Sequence, residues 1–223
     1  MKIVTLQQIQ KNYLLGKTII NALKGINLEV EKGEFLALAG PSGSGKTTVL
    51  NVLGCIDKPT SGKVFIDGQE IGGLSSDALA QIRADKIGFV FQNFNLLPVL
   101  TALENVEYPL LNKSNAGGNK RDLAMSALES VGLGKFAQHR PLELSGGQQQ
   151  RVAVARAIVG APLMVIADEP TANLDHNTGL EILHLMKKIN QEHKTTFIFS
   201  THDQKIMDMA DRVVRIWDGE IAP

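Results

Sequence analysis

Short apolar runs alternate with amphipathic stretches along this chain, the pattern of an α/β protein in which strands and helices take turns. Apolar runs predict strands at Ile3–Leu6, Ile26–Val30, Phe35–Ala39, Lys63–Ile66, Ile87–Val90, Leu163–Ala167, Thr196–Ser200 and Val213–Trp217. Helical spacing predicts helices at Lys46–Leu53, Ser76–Arg83, Thr101–Val106, Arg121–Val131, Gly147–Val159, Thr178–Gln191 and Gln204–Met209. Asp218-Gly219 is a turn signal that joins the last strand to a short return.

From about Asn93 to Gly160 the alternation stops. Helical patterns and loops continue there without a buried strand, which predicts a helical insertion between two parts of a strand-rich core. Within it SNAGGN, Ser114 to Asn119, reads as an exposed flexible loop. There is no internal repeat and no long low-complexity tract.

Composition narrows the class. A chain of 223 residues with 43% hydrophobic content is one large domain, or a core with subdomains. The formal net charge is zero, so the total points neither to a nucleic-acid partner nor to a polybasic membrane anchor. The single cysteine, Cys55, excludes an internal disulfide, fits a reducing compartment and reads as a packing residue. MKIVTLQQIQ lacks the apolar core of a signal peptide. The longest uncharged apolar run lies between Arg156 and Asp168, is broken by Gly160 and Pro162, and falls short of the ~20 residues that span a bilayer. A cytosolic chain is expected, with any membrane span supplied by another polypeptide.

Three stretches carry chemistry. GPSGSGKT, Gly40 to Thr47, fits G-x-x-x-x-G-K-[ST] and sits between a predicted strand and a predicted helix. Gly40, Pro41, Ser42, Gly43, Ser44 and Gly45 would bend the backbone round phosphate oxygens, with Lys46 reaching the β- and γ-phosphates and Thr47, followed by Thr48, holding Mg²⁺. LMVIADEP is a buried-looking strand ending in two acids: Asp168 would contact the metal, and Glu169 would polarise an attacking water. A GTPase or a small-molecule kinase could also use this metal acid. The third stretch, PLELSGGQQQRVAVARAI, opens a helix with Ser145, Gly146, Gly147 and Gln148, whose first backbone N–H groups form a second anion cradle. Neither a GTPase nor such a kinase accounts for it.

Taken in order, these residues resemble the ATP-binding subunits of ATP-binding-cassette (ABC) systems, over nearly the whole chain. GPSGSGKT matches the Walker A motif, LMVIADE Walker B, LSGGQ the signature, Gln92 the Q-loop glutamine, ANLD (Ala172 to Asp175) the D-loop, and His202 in FSTHD the switch histidine. Tyr13 in KNYLLG resembles the aromatic residue that stacks on adenine; ordinary edge packing is its plainer reading. The resemblance implies an α/β fold: a P-loop NTPase (RecA-like) core with a mostly parallel sheet, an antiparallel β subdomain and an α-helical insertion. It divides the chain into a core of 1–91 and 161–223 and a helical signature subdomain of 93–160. It also implies ATP and Mg²⁺ as ligands. Two copies would pair head to tail, the signature of one capping the ATP of the other. Gln92 would reach Mg²⁺ and the water and link the core to the helical insertion. His202 would hold Glu169 or water against the γ-phosphate. Asp175 would couple the two sites across the dimer, cap the following helix, or both. Arg151 and Arg156 would fix the signature helix by ion pairs. His139, His176, His184 and His193 show no metal-ligand spacing and read as surface or packing residues.

GFVFQNFNLLPVLTALENVEYPLL and NVLGCIDKPTSGKVFIDG resemble a narrower branch, the MacB-, LolD- and FtsE-type ATPases. That resemblance implies an ATPase at the cytoplasmic face of the inner membrane, docked on a permease near Gln92–Pro98. It would drive lipoprotein release or export of a macrolide, peptide or other periplasmic cargo. Regulatory signalling without transport is the alternative, and a soluble repair or translation ATPase the remote one. FNLLP would offer apolar anchors for a permease helix, unless it packs internally. No regulatory domain is expected beyond Pro223.

Overall fold

In a computed structural model, residues 1–113 and 119–222 are described. The chain begins with a long hairpin, β1 (Lys2–Leu15) and β2 (Thr18–Glu31), turned at Gly16. Strand β4 (Ser61–Ile66) pairs with β1, and β5 (Gln69–Glu70) with β4, giving an antiparallel sheet of order β2-β1-β4-β5. The second sheet is mainly parallel. It comprises β3 (Phe35–Ala39), β6 (Ile87–Val90), β7 (Met164–Ala167), β8 (Thr196–Thr201), β9 (Arg212–Trp217) and β10 (Glu220–Ile221) in the order β10-β9-β3-β8-β7-β6. Only β10 pairs antiparallel there, and it is the short return expected after Asp218-Gly219.

The central strands β3, β7 and β8 are buried along their whole length, as a sheet covered on both faces requires. Alternation of side chains then divides the interior. Leu36, Leu38, Met164, Ile166 and Ile198 face one core, shared with the hairpin, α1 (Lys46–Leu53) and α2 (Ser76–Lys86). Phe35, Ala37, Val165, Ala167, Phe197 and Phe199 face the other. That second core is filled by α3 (Ala102–Glu107), α4 (Lys120–Ser130), α5 (Gly146–Ile158) and α6 (His176–His193). A short α7 (Gln204–Met207) follows β8. No described helix is long and apolar enough to cross a membrane.

Two differences from the sequence reading have clear causes. The first two strands are each 14 residues long, far beyond Ile3–Leu6 and Ile26–Val30. Their outer halves expose Leu14, Leu15 and Ile19, and register shifts between Leu6 and Asn12 break the alternation that marks a strand. Strand β5 has only two exposed residues and leaves no apolar signal. Residues 114–118 of the expected SNAGGN loop lie outside the described residues, while Asn119 caps α4 by accepting the Arg121 N–H at 3.1 Å.

Candidate nucleotide site

The loop from Gly40 to Gly45 joins β3 to α1. Gly40 has φ 154°, and a Cβ there would stand 2.2 Å from the Ile216 carbonyl oxygen, so β9 leaves no room for a side chain. Gly45 caps α1 in the left-handed region, and its added Cβ would meet the Ala22 carbonyl at 2.9 Å. The turn-side half of β2 is therefore packed directly on this loop. Lys46 is only 6% exposed and its ammonium donates to the carbonyls of Gly40 (2.8 Å) and Pro41 (2.9 Å). With three donors, the ammonium keeps one for a ligand inside the loop. The buried Ser44 hydroxyl oxygen has no partner among the described residues, as expected of a group that awaits a ligand.

The carboxyl ends of β7 and β8 bring the acids to this loop. Thr47 Oγ1 donates to Asp168 Oδ1 at 3.3 Å, and the Ser200 hydroxyl donates to the same oxygen at 2.6 Å. Ser200 Oγ also accepts the Glu169 N–H at 2.8 Å. Glu169 has φ 44°, a left-handed conformation that costs a non-glycine residue energy and that the Ser200 bond helps to hold. His202 Nδ1 stands 3.1 Å from the Glu169 carboxylate. A cleft of about 250 Å³ opens here, lined in part by Glu169, Asp175, His202 and Leu174. Thr47, Asp168, Ser200, Glu169 and His202 thus form one chain of contacts. Thr47 at the end of the loop and Asp168 at the end of β7 bring two oxygen ligands together, the set that a hard cation shared with phosphate oxygens takes.

Gln92 follows β6, and its carbonyl accepts from Asn173 Nδ2 at 3.1 Å; the same amide donates to Asn93 Oδ1 at 2.7 Å. The downstream backbone is left-handed at Phe94 (φ 59°) and Asn95 (φ 48°), and Arg156 from the last turns of α5 donates to both carbonyls, at 2.7 and 2.5 Å. Among the described residues Arg156 therefore fixes the signature helix through backbone oxygens and not through an ion pair; burial pulls its guanidinium below the ordinary value. Arg151 does make the expected pair, with Glu181 at 3.1 Å.

At the start of α5, Ser145 and Gln148 form a reciprocal capping box: Ser145 Oγ accepts the Gln148 N–H (3.3 Å) and Gln148 Oε1 accepts the Ser145 N–H (2.9 Å). The N–H groups of Gly146 and Gly147 remain outside that box, as the first groups of a helix do. Gln150, wholly buried on the same helix, donates to the Pro170 carbonyl just after the acids. Among the described residues, Ser145, Gly146, Gly147 and Gln148 share no hydrogen bond with the phosphate loop. Asp175 caps α6, its Oδ1 accepting the Thr178 N–H at 3.1 Å; the Thr178 side chain first, and this N–H after it, hold its carboxyl below the usual range. Tyr13 lies near the far end of β1, 37% exposed, with its hydroxyl donated to Asp57 Oδ2 (2.8 Å) and Thr48 beside it.

The family model of the ABC transporters matches residues 23–172. The chain belongs to that family. An ABC transporter ATP-binding protein of Methanocaldococcus jannaschii, MJ0796, is 49% identical over 222 residues, covering 98% of the cassette and 94% of the relative. A macrolide export ATP-binding/permease protein MacB of Syntrophobacter fumaroxidans is 50% identical over 228 residues, covering 100% of the cassette and 32% of that longer protein. The cassette thus spans about a third of that relative's length. A solved dimeric structure of MJ0796, in a post-hydrolysis state with ADP and Pi, superposes with a TM-score of 0.90 at 48% identity, covering 99% of this chain and 97% of that one. The fold is the P-loop NTPase fold of ABC cassettes, and the protein is an ABC ATPase.

The site also contains residues that sequence reasoning passed over. Ser200 joins Asp168 to Glu169, and Asn173 joins the Gln92 loop to the segment after the acids. Ser200 is the last but one residue of the wholly buried β8, and only its polarity in TTFIFS hinted at a task. Asn173 stands within ANLD, but nothing local signals its bonds to Gln92 and Asn93.

Proposed function

We propose that this cassette binds and hydrolyses ATP at an interface between two copies paired head to tail, and so drives a membrane permease. One observation carries the reading. The chain builds two anion cradles, the Gly40–Thr47 loop and the start of α5, and no hydrogen bond joins them within the described part of one copy. A second copy, turned head to tail, lets the Ser145–Gly147 cradle close over a triphosphate held by the loop of the first.

In that arrangement the Lys46 ammonium and the backbone of residues 40–45 bind the phosphates. Thr47 and Asp168 would hold Mg²⁺, which would neutralise phosphate charge. Glu169 takes the proton of the attacking water, and His202 keeps the Glu169 carboxylate turned towards it. Gln92 lies between these residues and the helical segment, and the Asn173 and Arg156 bonds transmit its displacement in both directions. ATP bound between the copies favours the closed pair by mass action, and hydrolysis releases it.

The permease would dock in a groove of about 760 Å³ beside the Gln92 loop, at the cytoplasmic face of the membrane. The stacked rings of Phe89 and Phe91, with Tyr108 and Pro109, form its apolar lining. Of the stretch 92–98, only Asn95 lines it, so this groove lies closer to α2 than the FNLLP anchors. The MacB relative, whose name joins an ATP-binding part to a permease, supports a partner of this kind. Export or lipoprotein release is the transport we assign to it.

Glu169→Gln tests the core of this reading. The variant should bind ATP, lose about 10²- to 10⁴-fold in phosphate release, and run as a dimer in light scattering at saturating ATP-Mg²⁺ across a concentration series. A monomer at every concentration would refute the paired site. Mild solubilisation of membranes with the tagged chain should yield a stoichiometric subunit with few spans and a large outer domain. A functional extract without any membrane partner would refute the permease.

A further inference from the structure

Three side chains at the outer part of the hairpin form a closed cluster. Lys11 Nζ donates to Asp57 Oδ1 (2.5 Å) and to the Lys58 carbonyl (2.8 Å), and Tyr13 donates its hydroxyl to Asp57 Oδ2 (2.8 Å). Lys11 Nζ also stands over the Tyr13 ring, 4.9 Å from its centroid. One face of the ring is thus taken by the cation, while the residue stays 37% exposed and so accessible to a flat ligand.

The cluster is anchored to the phosphate loop by a short covalent and hydrogen-bonded path. Asp57 N–H donates to the Asn51 carbonyl at 3.1 Å, within α1, and α1 begins at Lys46. Thr60 Oγ1 accepts the Asn12 N–H (2.9 Å), and the Thr60 N–H donates to the Gln10 carbonyl (2.8 Å), so β1 is bound to this same connection on both sides of Lys11. Burial raises the Tyr13 hydroxyl above its ordinary value and Asp57 adds to the rise, which keeps it a donor. At Asp57 burial pushes upward but the bonds from Lys11 and Tyr13 outweigh it, so the carboxylate stays charged.

We propose that Lys11 and Asp57 are positioning residues of the nucleotide site: they clamp the Tyr13 ring at a fixed distance from the phosphate loop, with one face open, and so give the cassette affinity for a nucleoside triphosphate over a bare polyphosphate. This rests on the reading of Tyr13 as the surface on which the base stacks. A free tyrosine on a hairpin would have to give up rotamer freedom when the base arrives; the clamp removes that cost beforehand.

The test measures calorimetric affinity of the full chain for Mg-ATP and for Mg-tripolyphosphate, which has the phosphates and no base, with thermal unfolding alongside. Tyr13→Ala should weaken ATP about tenfold, the size of a lost base–aromatic stack, and leave tripolyphosphate unchanged. Asp57→Asn, Lys11→Met and Tyr13→Phe should each weaken ATP about three- to tenfold, again without effect on tripolyphosphate. Asp57→Asn combined with Tyr13→Phe should lose no more than the larger single change, since both act on the same Tyr13–Asp57 bond. If Tyr13→Ala weakens ATP while Lys11→Met and Asp57→Asn do not, the clamp is overturned and the stacking surface stands. Should Tyr13→Ala leave ATP affinity intact, the stacking surface fails and the clamp with it. Parallel loss of both ligands would mean damage to the loop and would also overturn the proposal.

Discussion

Ser200→Ala is the sharpest perturbation of the acid pair, because one hydroxyl serves both acids. It donates to Asp168 at 2.6 Å and accepts the Glu169 N–H at 2.8 Å, and the residue is 0% exposed. Removing it strands a part-buried N–H, at about 1 kcal/mol, and deletes a hydrogen bond to a carboxylate, at about 1.5–3 kcal/mol. The two losses share one oxygen and do not add fully, so about 2–3 kcal/mol is expected. For a chain of this length that is a fall of about 4–12 °C in Tm. Glu169 holds φ 44° at this bond. Without it the carboxylate shifts from its place, and a displacement on the order of 1 Å lowers turnover by about 10²-fold. Ser200 bonds the acids and not the loop backbone, so KM for ATP should move less than turnover does. Denaturant unfolding and steady-state phosphate release measure both effects, and Ser200→Cys, which keeps a weak donor and acceptor, should fall between. If Ser200→Ala keeps wild-type stability and wild-type turnover, the hydroxyl holds neither acid.

Other perturbations address separate parts of the molecule. Ser145→Arg should leave ATP binding to the monomer unchanged while abolishing the ATP-dependent dimer; loss of nucleotide binding in the monomer would contradict a role in the second copy. Asp211 feels burial, which raises its pKa, but the bonds from Lys187 and the Phe35 N–H prevail and hold its carboxyl below the usual range. Its stabilising contribution is therefore complete above the unfolded carboxylate value of about 4 and is lost as pH falls through the lower folded value. Asp211→Asn should flatten that part of the acid unfolding curve, and an unchanged curve would refute the assignment. Burial pushes the Cys55 thiol up to about 11, with Arg83 opposing weakly. Iodoacetamide at mildly alkaline pH should then modify the native protein only as fast as it unfolds, and prompt labelling would show the thiol to be accessible.

The parts of the site that were legible in the sequence are those made by contiguous residues. The phosphate loop, the acid pair and the start of α5 each depend on local spacing. The hidden parts are joined through space: Tyr13 meets Asp57 across 44 positions, and Asn173 meets Gln92 across 81. Fold legibility followed burial in the same way. Strands β3, β7 and β8, buried throughout, stand out as apolar runs, whereas the outer halves of β1 and β2 are exposed and carry bulges, so neither periodicity marks them. Helix α5 was legible because its start is a cap sequence and its buried Val152, Val154 and Ala155 follow at once.

The alternation of side chains along the central strands has a consequence for how such a protein can diversify. Adjacent residues of β3 or β7 report to different cores, one under the nucleotide loop and the other under the helical segment. A change of volume at Val165 is felt by the helices, while one at Ile166 is felt by the hairpin and α1. The sheet therefore works as a partition: residues that face the helical segment can be repacked while their neighbours that face α1 and the hairpin keep their dimensions. What crosses the partition is confined to the strand ends, where Asp168, Glu169 and Ser200 sit.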